Sequence, residues 1–380
     1  MSKKGIQKMR DFYAMKPGAP IYMREFAFYC LDKWAAQGHV RRTEEFANRD
    51  EHLAYLDEFF GFDTGGSVGF WNLGWSEAAF FPSFEEKVLS GDDEYELVQD
   101  FAGRHVKCFK GRRSGFMPEF VDHPVKDMRS WEELIKWRMN PETPERMAQF
   151  AELAPGVVAA AAEGNIIKQV SVGGYMYLRS LIGPVDLLYK FYDEPELIHA
   201  CMEGWFELTD RMVAEAQKVV TLDEIFLTED ICYNHGPLIS LDMIREFLFP
   251  YYQQLLTNIK SRQMNKGRTL HFQVDSDGHC DPIIPLYGEI GMDFMNPFEV
   301  ASGCDVVRTG AEYPWLRISG GIDKRILAST KEKIDRELER IMPPMRARGG
   351  YIPTCDHCVP EDVPFENYMH YRMRMREYCE

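Results

Sequence analysis

From about residue 120 to the C-terminus, short β-prone runs alternate with helical segments, and this rhythm constrains the fold more than any other property of the chain. The strand candidates are Ile166–Val172, Glu224–Thr228, Thr269–Val274, Phe294–Pro297, Arg317–Ser319 and Tyr351–Pro353. Helix-start chemistry punctuates them. Thr143-Pro144-Glu145 sets a cap residue before a first-turn proline. Ser240 stands as an N-cap ahead of Leu241–Phe249, and Pro250 predicts a kink or restart in a helix that runs on to Ile259. Ser329-Thr330-Lys331-Glu332 fits a capping box before Ile334–Ile341. Strands separated by helices cannot pair through tight hairpins, so this alternation implies a parallel sheet. The spacing predicts an α/β fold, a (β/α)8 TIM barrel, as a single domain over residues 1–380. Residues 1–110 include a partly helical N-terminal extension, in which Glu44–Phe60 reads as an amphipathic helix ending before Gly61.

Composition narrows the function. A net charge of −16 argues against nucleic acid and anionic membranes as partners, since both need clustered Lys and Arg. Nine cysteines, odd in number and scattered, fit a reducing compartment. With neither an N-terminal apolar leader nor a membrane-length run, a cytoplasmic protein is expected. A homodimer is one possible assembly. There is no GxGxxG, P-loop or G-x-S-x-G motif, so nucleotide binding and serine hydrolysis lack support.

The chemistry concentrates at strand ends. Asp275 and Asp277 alternate onto one face as their strand enters a turn, and two adjacent carboxylates call for a cation or a proton between them. The alternative is that Asp277-Gly278 is simply a turn that caps the next helix. Glu299 follows Asn296-Pro297-Phe298 at the end of the next strand, either facing the same mouth or stabilising a helix start. His357, within Cys355-Asp356-His357-Cys358, offers a metal ligand beyond the last strand, although a lone histidine is more often structural. With no second cysteine pair, a structural zinc finger is not expected. Glu229-Asp230 close another strand and either bind a polar substrate group or cap a loop. Tyr175 and Tyr177 read equally as substrate wall or core. The aromatic run with Phe70, Trp71, Trp75, Phe80 and Phe81 is either packed core or the lining for a flat organic substrate.

Several of these segments carry a resemblance. Asp122-His123-Pro124-Val125-Lys126-Asp127, Glu229-Asp230 before Gly236-Pro237-Leu238-Ile239-Ser240, and Pro297-Phe298-Glu299 are part of it. Gly320-Gly321-Ile322-Asp323-Lys324, Gly350-Tyr351-Ile352-Pro353 and the stretch from Val359 to Asn367 complete it. From about residue 120 to the end the chain resembles the uroporphyrinogen decarboxylase superfamily, and within it the methyltransferase branch that feeds cobalamin proteins. In coenzyme-M methyltransferases a His-x-Cys-Gly segment and a late cysteine bind zinc. Asp275 stands in the place of that His, Asp277 in the place of that Cys, and His357 within a residue of the late Cys.

The resemblance thus implies a Zn2+ site rebuilt from Asp275, Asp277, Glu299 and His357. It implies transfer of a methyl group from a small donor, favouring a methoxylated aromatic, to the cobalamin of a partner corrinoid protein. Glu229 and Tyr233 would orient the donor, with Tyr175 and the aromatics near Trp71 around it. The decarboxylases' own Met-Arg-Gln-Ala-Gly-Arg signature is present as Met23-Arg24-Glu25-Phe26-Ala27-Phe28, keeping only its first arginine, Arg24. A metal-independent decarboxylase using Arg24 and His357 is the alternative, and a non-catalytic binding protein on the same fold is a third reading.

Overall fold

The computed structural model describes residues 3–70, 80–111 and 118–380. Strand β1 (Ser67–Phe70) is followed by β2 (Lys87–Gly91), β3 (Tyr95–Gln99), β4 (His105–Phe109) and β5 (Glu119–Asp122), which form a small antiparallel sheet of their own. The main sheet resumes with β6 (Ile166–Val172) and β7 (Glu224–Thr228). A short hairpin, β8 (Cys232–Tyr233) and β9 (Gly236–Pro237), precedes β10 (His271–Asp275), β11 (Phe294–Asn296), β12 (Arg317–Ser319) and β13 (Tyr351–Ile352). The main sheet runs β1-β6-β7-β10-β11-β12-β13, parallel throughout, with helices in the crossovers from β6 onward. This is the barrel-type architecture the alternation predicts.

Ladder partners share a face, so the register sorts the residues. Ile225 and Leu227 of β7 lie beside Phe272 and Val274 of β10, all buried beneath the outer helices. Each such side chain contributes about 1.5–3 kcal/mol by leaving water. Glu224, Phe226 and Thr228 point inward beside His271, Gln273 and Asp275. β6, β7 and β12 have the expected limits. β10 starts at His271 rather than Thr269, because its ladder with β7 begins there, and Asp275 therefore closes the strand.

Three helix expectations change. The segment expected as one helix from Glu44 divides into a 3-10 turn, Thr43–Glu45, and a helix, Arg49–Phe60. The Asn48 side chain accepts the Glu51 N–H and restarts the helix, which Gly61 ends in the left-handed region. Leu248 separates Leu241–Phe247 from Phe249–Arg262, so the restart comes one residue before Pro250. The helix Lys331–Arg348 starts after Thr330, but the Thr330 side chain makes no capping bond.

The N-terminal region is built into the barrel. It supplies β1, and its extended stretch from Ile21 to Tyr29 bridges the two edges of the main sheet. Asp63 N–H donates to Met23 O (2.8 Å) near β1, while Val359 N–H donates to Ala27 O (2.8 Å) beyond β13. Helix α1 (Lys3–Tyr13) packs against the N-terminal ends of the strands: Phe12 meets Phe294 edge-on at 5.1 Å, and Arg317 Nε donates to Tyr13 O (2.9 Å). Inside this plug lies an ion pair, Lys168 Nζ to Glu224 Oε1 at 2.9 Å, and Tyr13 Oη donates to the other Glu224 oxygen. The opposite end of the barrel remains for chemistry.

Candidate active site at the C-terminal mouth of the barrel

Five strands deliver polar side chains to this mouth. Asp275 ends β10 and Asp277 follows it; Asp230 lies just beyond β7, Glu299 beyond β11, Lys324 beyond β12, and Asp356 and His357 beyond β13. The loops are tied together by Asp356, fully buried, whose two oxygens accept the Val300 N–H (3.0 Å) and the Lys324 N–H (3.1 Å). Gly278 lets the Asp277 loop sit tight on the rim. Its φ is +83°, and a Cβ there would fall 2.8 Å from the Tyr233 backbone.

Among the expected metal ligands, Asp277 and His357 meet: Nε2 lies 3.5 Å from Oδ2. Burial pushes Asp277 up to about 7, with the charges of Asp230 and Glu299 adding to it against Lys324 and Arg179. His357 is held below its ordinary value, by burial first and then by Lys324. The Phe26 ring covers it at 5.3 Å. Asp275 is deeper, taking a hydrogen bond from Asn296 Nδ2; burial, then Asp277 and Asp230, raise it well above the usual carboxylate range. Glu299 behaves oppositely. Burial opposes its ionisation, but Lys324 Nζ (3.0 Å) and the Gly278 N–H (3.0 Å) outweigh it and hold it below the ordinary value.

The four expected ligands therefore do not converge on one point. Among the described residues, three ligand-type atoms come within 4.8 Å of one another only at Cys280, Asp281 and Cys304. The physical reason is Lys324, which serves as the cation for Glu299. The donor chemistry still fits a metal in part. Two ligands at bonds of about 2.1 Å on a tetrahedral ion lie roughly 3.4 Å apart, close to the Asp277–His357 spacing. A further ligand from Glu299 or Asp275 requires exchange of its present partner.

Other expected residues divide. Tyr233 is half-exposed on the rim. Arg24 makes no hydrogen bond or ion pair among the described residues, its Nε is buried, and its charge acts on Asp275. Trp71 lies outside the described residues. Tyr175 is buried in the core at the first turn of the helix Gly174–Ile182. Glu229 is fully buried and does not reach the mouth: it accepts hydrogen bonds from Tyr252 (2.7 Å) and Tyr287 (2.9 Å). Burial raises it to about 7 despite those hydroxyls. Against its ordinary value of 4.5, this implies about 3 kcal/mol of stability present at acid pH and lost as pH rises from about 4.5 through about 7. Glu229→Gln is expected to flatten that part of the stability-versus-pH curve in denaturant titrations. An unchanged slope would show Glu229 to be ionised in the fold.

A family model described as uroporphyrinogen decarboxylase (URO-D) matches residues 112–378. The chain belongs to the uroporphyrinogen decarboxylase family. Structures similar to this family member include a methyltransferase from Methanosarcina mazei, at 14% identity and a TM-score of 0.58, covering 98% of this chain and 99% of that one. At that identity the likeness shows the fold alone. A Listeria monocytogenes structure described as a vitamin-B12 independent methionine synthase aligns at 11% identity and a TM-score of 0.38, over 94% of this chain and 98% of its own. No curated protein matches this URO-D chain.

Sequence reasoning missed Lys324 as a site residue. The signal was its place in Gly320-Gly321-Ile322-Asp323-Lys324, where the two glycines make a close turn: a Cβ on Gly320 would sit 1.7 Å from Pro297 O. That turn brings β12's loop against β11's, and Lys324 onto Glu299.

Proposed function

We propose that this URO-D family member is a methyltransferase that moves a methyl group from a methoxylated aromatic to the cobalamin of a partner corrinoid protein. The observation that carries the reading is the pairing of Asp277 with His357 among carboxylates too numerous for the cations present. The fold shared with a methyltransferase from Methanosarcina mazei supports it. Asp277 and His357 would hold Zn2+, with Glu299 or Asp275 completing the set. When bound, zinc supplies Lewis-acid polarisation of the ether oxygen.

In the reaction the methyl–oxygen bond breaks, the methyl goes to the reduced corrinoid, and the departing phenolate oxygen needs a proton. Asp277, raised to about 7 in the protein alone, would be held ionised as a metal ligand, so the oxygen takes its proton from water. His357, kept mostly neutral, offers a lone pair rather than a charge. Lys324 keeps Glu299 ionised, and the Phe26 ring shields His357 from water.

Purified protein is expected to carry about one equivalent of zinc, lost in His357→Ala, as closed three- or four-ligand sites do. Elemental analysis checks this; zinc below a tenth of that level in protein never exposed to chelator contradicts the metal part of the proposal. A second reading, metal-independent decarboxylation, is favoured by one feature. Arg24 has no hydrogen-bond or ion-pair partner among the described residues, and its charge acts on Asp275, which suits a substrate carboxylate.

A further inference from the structure

A cavity of about 280 Å3 adjoins the mouth, lined by Arg104, Phe120, His123, Arg179, Ser180, Pro184 and Asp230. Its outer wall is the small antiparallel sheet, through Arg104 and Phe120; its inner wall is the helix Gly174–Ile182, through Arg179 and Ser180. The cavity is graded. At the mouth side, Asp230 accepts from Arg179 Nη2 (2.6 Å), and the Asp230 charge acts on Asp275, Asp277 and His357. At the far side, burial and then the Arg104 and Lys126 charges hold His123 below its ordinary value, against the weaker pull of Asp122 and Asp186.

Unspent donors face this space. The His123 ring has no hydrogen-bond partner among the described residues, and Arg179 uses only its two terminal nitrogens, both on Asp230. Ser180 Oγ accepts from Arg104 Nη1 (2.9 Å) and has its own hydroxyl hydrogen left to donate. Apolar surface comes from Phe120 and Pro184. Small-molecule sites begin at roughly 300 Å3, so the volume suits one ring rather than a tetrapyrrole.

We infer that this pocket binds the carboxylate end of a single-ring aromatic acid, with the carboxylate at His123 and Arg179 and the opposite edge of the ring toward Asp277. The inference rests on the proposed methyl-transfer reading and names its substrate class: a methoxylated aromatic acid.

Calorimetric titration of the full chain with 3-methoxybenzoate and with methoxybenzene tests it, alongside methyl transfer from both. The acid binds the unsubstituted protein at least tenfold more tightly than methoxybenzene. His123→Ala and Arg179→Gln each weaken the acid at least tenfold and weaken it more than they weaken methoxybenzene. His123→Ala removes no hydrogen bond among the described residues, so it remains informative if Arg179→Gln fails to fold. Equal affinity for the two compounds, or an acid affinity untouched by His123→Ala, overturns the pocket. The two readings fail separately. Variant-sensitive acid binding without any methyl transfer keeps the pocket and sinks the methyltransferase. Methyl transfer from both donors, insensitive to His123→Ala, does the reverse.

Discussion

Asp277→Asn lowers turnover by about 10²-fold or more, beyond what loss of an outer-shell partner of a metal ligand costs, while the protein stays folded. The substitution is nearly isosteric at a side chain that is 41% exposed, so packing changes little. What it removes is chemistry. Burial and the Asp230 and Glu299 charges raise Asp277 to about 7 and leave a cation as its natural partner, and an amide offers no charged ligand for one. Relief of repulsion among these carboxylates makes the variant as stable as the parent or more so. Thermal melting and kcat measured on one preparation check both halves. Unchanged turnover in a folded variant removes Asp277 from the catalytic site.

Glu224→Ala costs about 3–5 kcal/mol of stability, because it strands a buried lysine. Lys168 and Glu224 sit inside the barrel beneath the mouth, at 11% and 0% side-chain exposure. Burial pulls Lys168 below its ordinary value and the Glu224 charge pulls it back. Without Glu224, Lys168 must shed its proton or drag water into the plug, and the Tyr13 hydroxyl loses its acceptor. Replacing the pair together, Lys168→Met with Glu224→Leu, restores most of the loss, since desolvation of an ion pair cancels much of its attraction. Urea titrations of the single and double variants check this. A single variant within 1 kcal/mol of the parent would mean the pair is hydrated rather than buried.

The barrel was legible because β6, β7 and β12 are short β-prone runs set between helices whose starts carry Ser, Thr or Pro signals, a pattern governed by local chemistry. Asp277 and His357 were legible for a related reason: they lie two and five residues beyond strand ends, and in a parallel barrel strand ends share one mouth. The small sheet β2–β5 was not. Few of its strand residues are buried, and β2 has no buried residue from which to read a period. Glu229 and Asp230 are equivalent in the sequence, and the backbone separates them. Asp230, with φ +45°, turns the chain so that Asp230 faces the mouth, while Glu229 packs against Tyr252 and Tyr287. Lys324 was hidden because its partner Glu299 is 25 residues away and only the turn at Gly320 brings them together.

Anaerobic methyl transfer tests the central claim most directly. Reduced corrinoid protein, offered a panel of methoxylated aromatics and methylamines with the full-length chain, is expected to develop methylcobamide absorbance with a methoxylated aromatic and to stay unmethylated with Asp277→Asn. Absence of methylcobamide with every donor, together with release of carbon dioxide from a porphyrinogen acid, would contradict it.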